Sequence, residues 1–296
     1  MAKAALHPSR TKFLALLKQT TGIELEIATA DEIPQNQKVL RESASGDQIF
    51  VKNSELSLLQ RGQRREQLVM SRQQNNLEQI YSLALEYINQ DAQFDRLDLD
   101  WLMKFNELAL QSYSTTMQEL WAKILAVELS NVGTFSYRSL KTLSEISTKE
   151  AMAFYKAVKL MTRVGEEKAG KIITGMYKKP TLMSIFSGNA RQALSLSQFG
   201  LSYTLMMTLS ELGLIYSQEI ESAPYQPNDS IRVVYQAQNL LFKVEQKDVI
   251  LTYYKFTQTG YELSKLVNIA EETKYVSALK NQFASLASVQ SADAKI

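Results

Sequence analysis

Cysteine is absent from this sequence and histidine occurs once. Without a thiol there is no disulfide, no thiolate nucleophile and no thiolate metal site. The single histidine, His7, stands beside Pro8, which leaves no histidine-based triad and no zinc cluster of ordinary make-up. An enzyme made from these residues would depend on carboxylates and lysines, and no constellation of them stands out. Long apolar runs are missing as well. No window approaches the ~20 residues of a membrane span. The early run Phe13 to Leu17 ends at Lys18, too soon for a signal-peptide core. Nor is there an excess of one charge: 33 Lys and Arg against 31 Asp and Glu leave a formal net charge of +2. That balance supplies no global pull toward nucleic acid or an anionic membrane. The expectation is a cytoplasmic, non-membrane protein without a cofactor or a bound metal, and not an enzyme.

What is present is a helical pattern. With 296 residues, 45% of them hydrophobic, the chain can bury a sizeable core and divide into two domains. The most strongly patterned stretch runs from Ser114 to Leu143. Ser114, Thr115 and Thr116 are candidate helix caps, and Met117, Leu120, Trp121, Ile124, Leu125 and Leu129 then share one helical face. Asn131 and Gly133 tolerate a left-handed helix exit, and Ser136 starts a second helix with Tyr137, Leu140 and Leu143 inward. The stretch is a helical hairpin. Glu128 breaks its apolar face. A buried carboxylate needs a partner, and Arg138, across the loop, is the one expected, as a structural ion pair fixing the hairpin's register.

Around the hairpin, residues 1–53 read as an arm or small appended element, with a short helix on Phe13, Leu14 and Leu17 and a strand at Ile23 to Ile27. Ser54 opens a long helix, polar and basic from Arg61 to Arg72, with an apolar stripe from Leu77 to Ile88. Asp91 to Asp100 holds four carboxylates but lacks the alternate spacing and central glycine of a calcium loop; Asp100 is the expected cap of a helix from Trp101. Ser147 and Glu150 have capping-box spacing. Residues 54–165 are therefore predicted to form a helical bundle.

Gly165 to Ile172 matches GxxxxGK but has Ile172 where a phosphate loop needs a hydroxyl. The same region is locally basic. Lys156, Lys159, Arg163, Lys168, Lys171, Lys178 and Lys179 stand against two acids, Glu166 and Glu167, and form the best nucleic-acid footprint in the chain. Residues 166–180 are predicted to be a basic linker. Beyond Pro180 a helix ends at Glu211-Leu-Gly-Leu-Ile215, and the runs at 231–235, 240–244 and 249–254 alternate like three strands of an antiparallel meander. A final helix runs to about Ala270, and the tail past Ala287 is small and polar, expected to fray.

The order Trp101, Phe105, Gln118-Glu-Leu-Trp-Ala-Lys-Ile-Leu125, Glu128, Gly133, Ser136, Arg138 and Leu140, followed by Leu212-Gly-Leu-Ile215 and Thr257-x-x-Gly260-x-Glu262-Leu263, resembles a family of uncharacterised bacterial proteins with a domain of unknown function. The resemblance covers about residues 70–270 and lends no catalytic residue. Residues 181–275 also resemble a winged helix: a helix, the Leu-Gly-Leu-Ile turn into a strand, a wing, and a closing Thr-x-x-Gly-x-Glu-Leu, with Phe256 where such a pattern usually has leucine. The helix that would enter a groove carries no Lys, Arg, Asn or Gln, and Arg191 is the only basic residue in 181–222. The fold expected is mainly α, a helical bundle followed by a smaller α+β winged-helix-like domain, with a C-terminal helix end and tail over 276–296. The function expected is a non-enzymatic interaction or regulatory protein that binds a protein partner, a second copy of itself included. A DNA-associated protein using Lys156 to Lys179 is the alternative, and an enzyme of unusual composition the third.

Overall fold

The computed structural model describes residues 7–29, 32–33, 39–42, 46–52, 56–88, 96–180, 192–236, 238–269 and 273–291. The chain divides into two compact units, Met1–Ser82 with Leu110–Tyr113, and Leu83–Ala109 with Ser114–Ile296. Both mix helices with antiparallel strands.

In the first unit, α1 (Pro8–Thr21) starts where the His7 ring accepts a hydrogen bond from the Ser9 amide and ends at Gly22, whose φ of +69° is left-handed. Three short strands follow, β1 (Leu25–Ala28), β2 (Val39–Glu42) and β3 (Gln48–Val51), paired antiparallel in the order β1-β3-β2. The helix expected from Ser54, a position outside the described residues, is α2 (Leu58–Tyr87). It opens on a reciprocal pair between Ser57 and Gln60, with the Gln60 side chain on the Ser57 amide at 2.8 Å and the Ser57 hydroxyl on the Gln60 amide at 3.2 Å. Arg72 donates to the Thr20 carbonyl at 2.6 Å, placing a cation at the carbonyl end of α1. Gly62 lies within α2, where glycine costs about 1 kcal/mol relative to alanine, and a Cβ there would meet no atom within 4 Å.

The second unit contains the helices α3 (Leu99–Ala109), α4 (Thr115–Ser130), α5 (Tyr137–Glu145) and α6 (Thr148–Lys159). Their starts follow the polar residues before them. Ser114, Ser136 and Ser147 each accept from an amide three residues on, and Ser147 with Glu150 completes a capping box. Asp98, two residues before the expected Asp100, accepts from the Asp100 amide at 2.9 Å ahead of α3; the acids from 91 to 95 lie outside the described residues. Trp121, Ile124, Leu125 and Leu129 are buried as one face of α4. Phe105 meets Trp121 edge-on with ring centroids 5.3 Å apart.

Strands then alternate with helices: β4 (Arg163–Val164), β5 (Lys171–Lys178), β6 (Gln192–Ala193), α7 (Tyr203–Glu211), β7 (Ile220–Glu221), β8 (Ser230–Tyr235), β9 (Gln238–Val244), β10 (Val249–Lys255), α8 (Gln258–Ser264), α9 (Thr273–Phe283) and β11 (Ala287–Ser291). They build two antiparallel sheets, β6-β5-β10-β7 and β11-β9-β8-β4. The fold is therefore mixed α+β.

Three expectations are corrected here. Residues 171–178 are not a linker but a strand, buried from Lys171 to Met176; the lysines at its ends masked the apolar, β-branched run between them. The meander breaks after its second strand. Asp248 turns the chain with a φ of +57°, and β10 leaves β9 to pair with β5 on one side and β7 on the other. The segment 287–291 does not fray: it pairs with β9 along its length. Ahead of it α9 buries Tyr275, Val276, Leu279 and Phe283, and the Tyr275 hydroxyl donates to the Ile173 carbonyl at 2.8 Å. Burial in apolar surroundings pushes the Tyr275 phenol far up.

Candidate functional site

The densest arrangement of chemistry-bearing residues lies at the loop between α4 and α5. Glu128 is in the last turn of α4 and 2% exposed. Gly133 takes a φ of +84°, open to glycine because it has no Cβ, and the chain folds back over the carboxylate. The Gly133 amide donates to one Glu128 oxygen at 2.5 Å and the Phe135 amide to the other at 2.9 Å. Asn131, by contrast, is not left-handed, with φ −142°. The guanidinium of Arg138 is not among the groups that hold Glu128. The predicted ion pair is replaced by backbone amides, which reach the carboxylate because the loop is short and left-handed at Gly133.

A second buried carboxylate works on the same loop from α8. Glu262, 4% exposed, accepts from the Ser136 amide at 2.7 Å and from the Ser139 hydroxyl at 2.6 Å on one oxygen, and from the Gln258 side chain at 2.9 Å on the other. Trp101 adds a third hold: its indole N–H donates to the Phe135 carbonyl at 2.7 Å. The segment from Gly133 to Ser139 is thus gripped by α3, α4 and α8. Helix α8 is itself pressed close to the chain after α7, for a Cβ on Gly260 would lie 1.9 Å from the Leu214 carbonyl oxygen. Thr257 fixes its start, accepting from the Gly260 amide and donating to the Gly213 carbonyl.

The two carboxyls are pushed in opposite directions. Burial raises the Glu128 carboxyl above its ordinary range, against the pull of the amides, and the negative charge of Glu262 raises it further. Burial works on Glu262 in the same sense, but the Ser139 hydroxyl, the Ser136 amide and Gln258 outweigh it and hold that carboxyl below the ordinary range. Carboxyl pairs with divergent affinities for protons are a mark of acid–base chemistry. Here both oxygens of each carboxyl are met by donors of the chain itself, and neither side chain opens to solvent. The arrangement can hold a loop and store a proton. It offers a substrate no face.

The basic residues from 156 to 179 differ in exposure. Lys171 is 6% exposed, pairs with Glu167 at 2.7 Å and lies 4.7 Å from the centre of the Tyr253 ring. Glu167 also binds Lys255, and the two cations hold its carboxyl below the ordinary range. Lys156 and Lys159 are half-buried, while Arg163, Lys168, Lys178 and Lys179 are exposed. The strand β5 separates Lys171 from Lys178 by about 23 Å, seven residues at roughly 3.3 Å each, with Lys171 opposite Lys255 and Lys178 opposite Val249. The GxxxxGK match leads into this strand and not into a helix, so it forms no phosphate loop. Among the described residues no group of three or more His, Asp or Glu could hold a metal ion, and no helix is long and apolar enough to cross a membrane.

Sequence reasoning picked out Glu128 as a break in an apolar face. It gave Glu262 and Trp101 no function beyond their places in the resemblance. The Thr257-x-x-Gly260-x-Glu262 spacing was the available signal, because it sets a cap, a close approach and an inward carboxylate on successive turns of one short helix. Compared with known proteins, the chain belongs to the family described as protein of unknown function DUF2806, whose pattern matches residues 60–280. No curated protein and no solved structure matches it.

Proposed function

We propose that this member of the DUF2806 family is a non-enzymatic interaction protein that engages a protein partner, a second copy of itself included, through a part of the chain that reads as a winged helix. That part comprises α7, the Gly213 turn, Ile215 bridged to Phe256, β7 paired with β10, and α8. The reading rests on the outward face of α7. Tyr203 is 73% exposed and Met207 stands out one turn later. No Lys, Arg, Asn or Gln occurs from Tyr203 to Glu211. Such a face offers aromatic and thioether surface, the material of protein contacts, and no cationic or amide side chain for phosphates or base edges. The burial of Lys171 and the partial burial of Lys156 and Lys159 support the same choice, and a cytoplasmic, non-membrane setting belongs to it.

A photo-reactive side chain at position 203, introduced into the full chain in cells, tests this reading. The expected result is one discrete protein adduct that is absent when the group is moved to the exposed position of Lys141. Adducts of nucleic acid alone, or tight binding of generic duplex DNA that collapses with added salt, would overturn it.

A further inference from the structure

We infer that the first unit carries a binding site for a small anionic amphiphile, a molecule with an apolar chain and a single carboxylate or phosphate head. The site is a cavity of about 340 Å³ between the small sheet and the start of α2, within the size range of ligand pockets, roughly 300 to 1,000 Å³. Its walls include Ile23, Leu25, Leu40, Val51 and Leu56. One side of its mouth is cationic. Arg61, Arg64 and Arg65 all line it from a single turn of α2. Arg61 is turned to the Leu56 carbonyl at 2.7 Å. Arg64 and Arg65 are exposed and make no ion pair among the described residues. The one acid among the described lining residues, Glu24, is met by Lys18 at 3.3 Å. The site is therefore apolar in its depth and positive on one edge.

Gly62 supplies the independent observation. It lies in the same turn and lines the same cavity. Neither a left-handed φ nor a close neighbour demands a glycine there, since a Cβ would meet open space. Glycine at 62 leaves this stretch of the cavity lining without a side chain. The clustering of the three cations within one turn, about 6 Å of helix rise, suits one compact anionic head. An acidic stripe along a partner helix would call for cations spread over several turns.

The test is calorimetric titration of the full chain with dodecanoate below its micelle concentration, with dodecyl phosphate, methyl dodecanoate and inorganic phosphate as separate arms. Saturable binding of both charged amphiphiles is expected, roughly tenfold weaker or less for the ester, and none for inorganic phosphate. Gly62→Leu should abolish binding while the melting temperature stays level or rises. Arg64→Glu with Arg65→Glu, both at the surface, should weaken binding by roughly tenfold or more. Absence of saturable binding, equal affinity for the ester, or binding unchanged in both variants would overturn the assignment. Binding of an acidic amphipathic peptide but not of dodecanoate, lost in Gly62→Leu, would overturn it in favour of a helix-docking groove.

Discussion

Glu128 and Glu262 grip one loop, yet they respond to acid in opposite senses. Glu262 has its folded affinity for protons lowered, so its contribution to stability is present above the ordinary carboxylate range and is lost as pH falls through its folded value. Glu128 has its affinity raised, so the folded state gains relative stability as pH falls into the ordinary carboxylate range and loses it as pH rises through the raised value. Glu262→Gln should therefore cost less at pH 4 than at pH 7, and Glu128→Gln should cost more. At pH 7 each replacement should cost about 1–3 kcal/mol, since each leaves a buried donor facing an amide nitrogen or without an acceptor. Urea unfolding of the two variants at both pH values would check the signs. At this scale the sequence was half legible. An acid in an apolar face announces that something must hold it, but backbone amides belong to every residue and leave no mark in composition.

Caps and close approaches decide the elements. Ser147→Ala removes the acceptor for the Glu150 amide at the start of α6 and leaves the Ser147 amide still donating to the Glu150 carboxylate, and should lower stability by about 1 kcal/mol. Gly260→Ala should be far worse, about 4 kcal/mol or enough to prevent folding, because its methyl would coincide with the Leu214 carbonyl, a backbone atom with nowhere to go. Thermal melting of both variants distinguishes the two magnitudes. Helix starts were legible because a cap is a local arrangement of three or four residues. The partners of strands were not. Nothing near Val249 tells it to pair with Lys178, some seventy positions earlier, when Val244 lies five residues away. The helix end expected from 276 belongs to α9, whose start at Thr273 was not read although Tyr275, Val276, Leu279 and Phe283 carry a helical stripe.

For the molecule as a whole, the balance of charge read from composition and the unequal exposure of the cations lead to one expectation. Should generic duplex DNA bind at all in low salt, the logarithmic salt dependence should be no steeper than about −4, the value for the four exposed cations, where seven would give about −6. Fluorescence anisotropy at a series of salt concentrations measures that slope. The mixed fold class was less visible than the bundle, since the six strand residues between Lys171 and Lys178 were read by the charge of those lysines.

Both tryptophans of the chain, Trp101 and Trp121, belong to the second unit, and Trp121 is fully enclosed against Phe105. The tryptophan emission of this protein, excited where tyrosine does not absorb, is therefore an optical report on the loop clasp and the helices beside it, and the first unit is silent in it. Melting followed by tryptophan emission and by circular dichroism can thus be superimposable only if the two units unfold together. Any gap between the curves is a direct reading of the independence of the unit that holds the arginine-edged cavity.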